Sequence, residues 1–217
     1  MPPTDLPKIM TDRSSLTIII IYFIIVQDFL GGTEVEKDAI SVNVGRGGLK
    51  NSSEIKILVL YLLMNVNEPV PSNQIADKLH IEGIANTFEV NEAFAELHEN
   101  SLIEESPDGP EFYVINDKGR DVGQTLQSSV PFTIREKSLR LLKSMLQRNR
   151  HMRETDIKIT HEEDGTIKVT CAAIENEKVI MSFWLQATDD AQAIRIKENF
   201  LDDPAHVYRT LIDMLTK

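Results

Sequence analysis

The sequence predicts an α+β protein, and three observations lead to this fold class. Three segments with apolar residues at helical spacing, followed by two short strand-like segments, occupy residues 51–127. A basic amphipathic segment lies at 135–153, and three segments of period-two alternation come after it. We therefore predict an N-terminal winged helix-turn-helix at 51–127, then a linking helix and a three-stranded antiparallel sheet covered by two C-terminal helices at 128–217. Residues 1–50 are left as a poorly ordered N-terminal extension.

The composition of the 217 residues excludes some classes of protein. A net charge of −11 and an isoelectric point near 4.9 argue against a general nucleic-acid or anionic-membrane binder. The single cysteine, Cys171, excludes an internal disulfide and is consistent with a reducing cytosol. A hydrophobic fraction of 41% is sufficient to fill a core. We accordingly expect a cytoplasmic globular protein.

The extension contains an eleven-residue apolar run at 16–26, LTIIIIYFIIV. It is too short for a membrane-spanning helix, which needs about 20 apolar residues, and no small-residue cleavage site follows it. We interpret it as a β-prone strand or an apolar tail, with a membrane anchor as an alternative. A third interpretation is that residues 1–50 are not native protein, because residues 45–48 (GRGG) could be encoded by a purine-rich ribosome-binding site before a start near Leu49.

Two helices open the predicted winged helix-turn-helix. Ser53 is the expected N-cap of the first, which is apolar almost all round and is therefore expected to be buried on several sides or to lie in a subunit interface. Residues 69–71 (Pro-Val-Pro) then break the chain. Ser72 is the expected N-cap of a short second helix, whose inward-facing residues are Ile75, Ala76 and Leu79.

The third helix is predicted at 87–100, with Asn86 and Glu89 in the positions of a capping box. Two strands, at 102–105 and 111–115, flank a turn-forming cluster made of Pro107, Asp108, Gly109 and Pro110. Three helices, a strand, a tight turn and a second strand follow one another in this order. This succession is typical of a winged helix-turn-helix.

The charge of this module opposes ordinary DNA binding. Residues 51–120 carry four basic and thirteen acidic side chains, and the presumed reading helix contains four glutamates but no Lys or Arg. A DNA-binding surface gains most of its affinity by neutralising phosphates. The residues at the groove-facing end of this helix, Asn86, Thr87 and Asn91, can hydrogen-bond to bases but neutralise no charge. Standard major-groove docking by helix 87–100 alone is therefore not expected.

The basic residues are concentrated after the wing. Seven of them share a helix with an apolar stripe, namely Arg135, Lys137, Arg140, Lys143, Arg148, Arg150 and Arg153. Helix 135–153 has three possible roles. It can connect the two domains, with its basic side complementing the acidic module of the same chain or of a partner subunit. Alternatively, its basic side can face nucleic acid, or it can face an anionic membrane. For the nucleic-acid role we select four candidate phosphate contacts: Arg140, Lys143, Arg148 and Arg150.

Three strands with apolar residues at odd-numbered positions follow, from Ile157 to Ile159, from Ile167 to Ala173 and from Val179 to Leu185. Turns at 164–165 and 175–176 join them into an antiparallel meander. Trp184 falls on the polar face, and we expect it to pack under a helix or in a dimer contact. Two helices follow, and we expect them to cover the apolar face of the sheet. The N-cap of the first is Asp189 or Asp190, and the N-cap of the second is Asp203, directly before Pro204.

Four sequence features, in this order, resemble those of one family. They are EIKILVLYLL at 54–63, LIEE at 102–105, the Lys118-Gly119 pair, and Pro131 followed by Ile134 and Arg135 at the start of the basic helix. Over about residues 52–217 the chain is similar to the bacterial domain-of-unknown-function family numbered 4364, whose members have an N-terminal winged helix and a C-terminal α+β part. The family has no established activity, and its winged helix implies a transcriptional regulator by analogy of fold.

No catalytic or cofactor-binding motif is present in the sequence. The five histidines are scattered, and the patterns HExxH, GxxxxGK[ST], GxGxxG and GxSxG are all absent. Cys171 lies in the middle of a predicted strand, so we expect a buried, inert thiol. We therefore expect a protein that is not an enzyme, with no catalytic residue, no metal ligand and no cofactor.

Two functional hypotheses from different classes remain. In the first, a homodimeric winged-helix regulator contacts DNA through Asn86, Thr87 and Asn91, with help from the basic helix 135–153, while its C-terminal part senses an effector or oligomerises. In the second, the winged helix is a protein-interaction scaffold that does not bind DNA and presents the acidic helix 87–100 to a basic protein partner. Neither hypothesis involves a membrane.

Overall fold

A computed structural model describes residues 48–216, which form seven α-helices and six β-strands. The strands make two three-stranded antiparallel sheets, which confirms the mixed α+β class. The chain divides after Leu141 into two compact units, whereas the boundary predicted from the sequence is 127/128. The apolar segment predicted at 16–26 lies outside the described residues.

The first unit combines helices with the smaller sheet. In chain order its elements are α1 (Ser52–Met64), β1 (Val70–Pro71), α2 (Ser72–Ile81), α3 (Thr87–Glu99), β2 (Ile103–Glu105), β3 (Phe112–Ile115), α4 (Asp117–Leu126) and a short 3-10 helix (Gln127–Ser129). Helix α5 (Phe132–Arg153) follows and begins three residues before the predicted basic helix. Almost every side chain of α1 from Ile55 to Leu63 is buried, as its all-round apolar pattern predicts.

The caps of the first three helices agree with the prediction only in part. Asn51, not Ser53, caps α1: it has the extended backbone of a cap, and its side chain accepts a hydrogen bond from the N–H of Ser53. Ser72 is the first residue of α2 and is buried, and no side chain caps that helix. Asn86 caps α3, as predicted, by accepting a hydrogen bond from the N–H of Phe88.

The smaller sheet has the strand order β1-β3-β2. Its hairpin of β2 and β3 forms as predicted, but β1 is an addition to the prediction. Val70 and Pro71, expected only to break the chain, pair with Tyr113 and Phe112 of β3. Proline is compatible with this position because β1 is an edge strand, where the missing N–H removes no necessary hydrogen bond.

Helix α4 was not predicted from the sequence. Its N-cap is Asn116, whose side chain accepts a hydrogen bond from the N–H of Gly119 at 3.0 Å. Two glycines lower the intrinsic helix propensity of the segment. In the structure they allow close packing, since a Cβ atom on Gly119 would lie 2.1 Å from the carbonyl oxygen of Leu102, and one on Gly123 would crowd α1. Packing, rather than propensity, therefore explains this helix.

The second unit contains the larger sheet. After the end of α5 its elements are β4 (Thr155–His161), β5 (Ile167–Glu175), β6 (Lys178–Ala187), α6 (Asp190–Asp202) and α7 (Pro204–Leu215). The strand order β4-β5-β6 is the predicted antiparallel meander, in which Ile157, Cys171 and Phe183 lie side by side. Most odd-numbered side chains of the three strands form the core under α6, as the period-two pattern predicts. Two predicted members are exposed: Leu185, and Val179, which a register shift of β6 pairs with Ile174 and so turns away from the odd-numbered face. Phe200 of α6 packs edge-on against Phe183, with ring centroids 5.5 Å apart.

The two C-terminal helices contribute unequally to this core. Asp189 caps α6, as one of the two predicted alternatives, and α6 packs on the sheet. Asp203 caps α7, as predicted, and α7 adds Val207 to the edge of the core. The apolar residues of its second half are exposed: Leu211, Ile212, Met214 and Leu215. The expected cover of the sheet is thus provided mainly by α6.

Candidate nucleic-acid interface

The start of α3 holds the three residues selected for base contacts. Asn86 uses its side-chain oxygen to cap the helix, 2.8 Å from the backbone nitrogen of Phe88. Thr87 is half-buried, whereas Asn91 is exposed. Phe88, which is not among the residues predicted to contact DNA, lies between them and is 62% exposed. The exposure of Phe88 could have been predicted from the sequence, because Phe88 lies outside the apolar stripe that contains Val90, Ala93 and Leu97.

The exposed surface of α3 is acidic. Phe88, Glu92 and Glu99 are exposed and lie four and seven residues apart, which puts them on one side of the helix; we call them the acidic face. Glu96 forms an ion pair with Lys56 of α1. The face thus offers an aromatic ring and carboxylates, but no group that neutralises a phosphate.

The hairpin of β2 and β3 is acidic as well. Its exposed side chains include Glu104, Glu105, Asp108 and Glu111. Burial raises the pKa of the Tyr113 phenol, and the negative charges of Glu105 and Glu111 raise it further. The same carboxylates would repel a phosphate backbone, so this hairpin does not supply the missing positive charge.

Two of the seven basic residues of α5 have structural roles in the first unit. The guanidinium of Arg135 lies 5.2 Å from the ring centroid of Tyr61 and donates a hydrogen bond to the side-chain oxygen of Gln127 at 3.0 Å. The ammonium of Lys137 forms an ion pair with Glu82 at 2.8 Å. Both positive charges therefore interact with side chains of the first unit, in which acidic residues outnumber basic ones.

A third basic residue has a structural role in the second unit. Arg148, one of the four selected phosphate contacts, forms ion pairs with Glu198 and, at 3.1 Å, with Asp202, both on α6. Its charge is matched by two carboxylates, so the structure places it as a link between α5 and α6. The sequence could not show this pairing, because the partners lie about fifty residues away along the chain.

The three other selected residues remain on the surface. Arg140, Lys143 and Arg150 are exposed, and their spacing of three and seven residues puts them on one side of α5; we call them the basic face. Within residues 48–216, Arg140 and Lys143 form no ion pair. The buried residues Leu142 and Met145 occupy another side of the same helix. The basic face is the part of the described chain that is best suited to contact phosphates.

The described part of the chain contains no cluster of side chains of the types that bind metals. Between residues 48 and 216 no group of three or more His, Cys, Asp or Glu side chains is arranged to hold a metal ion. His151 contacts the carbonyl oxygen of Leu201 at 2.9 Å, and His161 contacts Asp190 at 2.8 Å. Among the same residues, no helix combines the length and the apolar character needed to cross a membrane.

Cys171 is expected to resist alkylation in the folded protein. It is fully buried in β5, and burial raises the pKa of its thiol to about 11, so that the reactive thiolate is scarce at neutral pH. Labelling with iodoacetamide, followed by mass spectrometry, should give no adduct at neutral pH and complete labelling in denaturant. Rapid labelling without denaturant would contradict the burial of this thiol.

Comparison with known proteins gives one match. A family model described as a domain of unknown function, DUF4364, matches residues 55–215, which runs from the first turn of α1 to the end of α7. Comparisons with curated proteins and with solved structures gave no match. The matched range includes the acidic face and the basic face, so both surfaces lie within the family domain.

Proposed function

The chain belongs to the family described as a domain of unknown function (DUF4364), and from this premise we propose that it is a bacterial, cytoplasmic transcriptional regulator with a winged helix-turn-helix. The succession of elements in the first unit supports the proposal: a helix, a short strand, two helices and a hairpin, with the strand order β1-β3-β2. In this arrangement α2 and α3 form the helix-turn-helix, and β2 and β3 form the wing.

The proposed regulator binds DNA as a dimer, mainly through the basic face. The observation that carries this step is that Arg140 and Lys143 are exposed and, within residues 48–216, unpaired, while α3 and the wing are acidic. Affinity for DNA depends chiefly on neutralised phosphates, which the basic face can supply and α3 cannot. Thr87 and Asn91 are then left to contact base edges, and Asn86 fixes the start of α3.

Salt-dependent DNA binding tests this proposal. The full chain should bind fragments of bacterial genomic DNA at low salt, with an affinity that falls steeply as salt rises. Arg140→Gln and Lys143→Gln should each reduce the slope of log affinity against log salt by about 1, because each removes one phosphate contact. The matched control is Lys158→Gln, which removes one positive charge from β4, where Lys158 pairs with Asp156 at 2.8 Å; its slope should equal that of the wild type.

A second candidate function is supported by the acidic face. An aromatic side chain that is 62% exposed beside Glu92 and Glu99 is suited to a basic, partly apolar protein surface. On this alternative the winged helix is an interaction scaffold and does not bind DNA. The same titration separates the two candidates: absence of DNA binding at low salt contradicts the regulator, whereas a slope that responds to Arg140 and Lys143 contradicts the scaffold.

A further inference from the structure

A cleft of about 510 Å³ lies within the second unit, lined by α7 and by the end of the sheet where β5 turns into β6. Its volume is in the range of sites that bind small molecules, about 300–1,000 Å³. All the residues that line it lie between Glu154 and Arg209. Trp184 is not among them. It does not pack under a helix, as one of the sequence expectations had it, but is 59% exposed with its ring 5.1 Å from the ammonium of Lys168.

Part of the lining of this cleft is apolar. Ile174 of β5, Ile180 of β6 and Tyr208 of α7 contribute to it. Ile180 is the extra residue of a β-bulge, because the pairing of β6 with β5 shifts by one residue just after Ala173. A bulge bends its strand and changes the direction of a side chain. Since Ile180 is still 43% exposed, its apolar surface is available to a ligand.

The cleft also carries charges of both signs. Glu154 directly precedes β4, Glu175 ends β5 and Arg209 lies on α7, and all three are exposed. Within residues 48–216 none of the three forms an ion pair. Opposite charges that line one cleft without pairing with each other are available to a ligand that carries both signs.

We propose that this cleft binds a free α-amino acid with a large apolar side chain. The ammonium of the ligand has three N–H donors, for which the carboxylates of Glu154 and Glu175 are the acceptors. The carboxylate of the ligand accepts hydrogen bonds from the forked guanidinium of Arg209. The apolar side chain of the ligand covers Ile180 and the ring of Tyr208, whose surfaces are thereby removed from water.

The charges of the cleft favour this ligand over three other classes. Two carboxylates against one guanidinium repel phosphates and nucleotides. An uncharged apolar molecule gains nothing from the three charges, and an organic cation without a carboxylate meets a like charge at Arg209. An α-amino acid is the class that uses both signs of charge and the apolar surface together.

Isothermal titration calorimetry of the full chain with matched probes tests the proposal. The probes are L-phenylalanine, phenethylamine, which lacks the carboxylate, phenylpropionate, which lacks the ammonium, and glycine, which lacks the apolar side chain. L-phenylalanine should bind, and each of the three others should bind at least about tenfold more weakly, because each loses one kind of contact. L-leucine serves as a second apolar amino acid.

Two variants assign the charged contacts. Arg209→Gln should weaken the binding of L-phenylalanine about tenfold without weakening that of phenethylamine, which has no carboxylate to lose. The double variant Glu154→Gln with Glu175→Gln should weaken the binding of L-phenylalanine to a similar extent without weakening that of phenylpropionate. The matched controls are Arg195→Gln on α6 and Glu163→Gln in the turn between β4 and β5, both exposed and outside the cleft; neither should change any affinity.

Three results would overturn the proposal. They are the failure of both L-phenylalanine and L-leucine to bind at millimolar concentration, equal affinities for L-phenylalanine and phenethylamine, and unchanged binding of L-phenylalanine by both charge variants. Circular dichroism verifies that each variant is folded. If the chain is the proposed regulator, the amino acid is the effector sensed by its C-terminal part. The titrations contain no DNA, so their failure is distinguishable from a failure of the proposed function.

Discussion

Replacing Gly119 with alanine is expected to lower the free energy of unfolding by about 3 kcal/mol. The added Cβ would lie 2.1 Å from the carbonyl oxygen of Leu102, and a backbone atom cannot move aside by changing a rotamer. Helix α4 would have to shift away from the start of β2. The gain in helix propensity, about 1 kcal/mol for Gly to Ala in a helix interior, offsets only part of this cost.

Denaturant unfolding followed by circular dichroism measures the effect. The control is Gln124→Ala, an exposed position of the same helix, which is expected to change the free energy of unfolding by less than about 0.5 kcal/mol. If Gly119→Ala were as stable as the wild type, the close approach of α4 to Leu102 would be wrong. The comparison thus tests the packing of α4, a helix that the sequence pattern does not predict.

Replacing Phe200 with alanine is expected to destabilise the second unit by about 4 kcal/mol. Phe200 is 3% exposed and packs edge-on against Phe183 in the core beneath α6. Removal of the ring leaves a cavity between α6 and the sheet, which costs both the transfer free energy of the ring and the contacts of its neighbours. Thermal unfolding of the full chain should show a lower midpoint temperature for the transition in which the second unit unfolds.

Phe132→Ala provides a matched control for this prediction. Phe132 is the same residue type at the start of α5, but it is 67% exposed, and its loss is expected to cost less than about 1 kcal/mol. Phe200→Leu should fall between the two, because leucine fills part of the space of the ring. Equal stability of Phe200→Ala and Phe132→Ala would show that α6 does not form the core described for the second unit.

The basic helix shows how the structure divides a single pattern into separate roles. The sequence gives seven positive charges on one amphipathic segment, without distinguishing among them. In the structure Arg135, Lys137 and Arg148 are engaged with Tyr61, Glu82 and the α6 carboxylates. Arg140 and Lys143 remain exposed and, within residues 48–216, without an ion pair, so they are the candidates for phosphate contact. The candidate DNA surface is therefore smaller than the charge count suggests, and the salt slopes predicted for single variants follow from that smaller set.

Local patterns predicted most of the secondary structure. The alternation around Cys171 and Phe183 gives three strands, because a half-buried strand must place every second side chain in the core. Asn86 and Asp203 were identified as caps for a similarly local reason, since a side-chain oxygen there satisfies an N–H of the first helical turn. The elements that were missed, α4 and β1, depend instead on contacts with Leu102 and with β3.

By itself, the sequence determined the α+β class, the acidic character of the first unit and the basic character of α5. These properties depend on residue types and on their spacing over short stretches of the chain, both of which can be read from the sequence. Only the tertiary structure decided which charges are paired and that Phe88 is exposed. Exposure and pairing depend on residues far apart in the chain. For the same physical reason, the surfaces that carry the proposed function became visible only in the folded molecule.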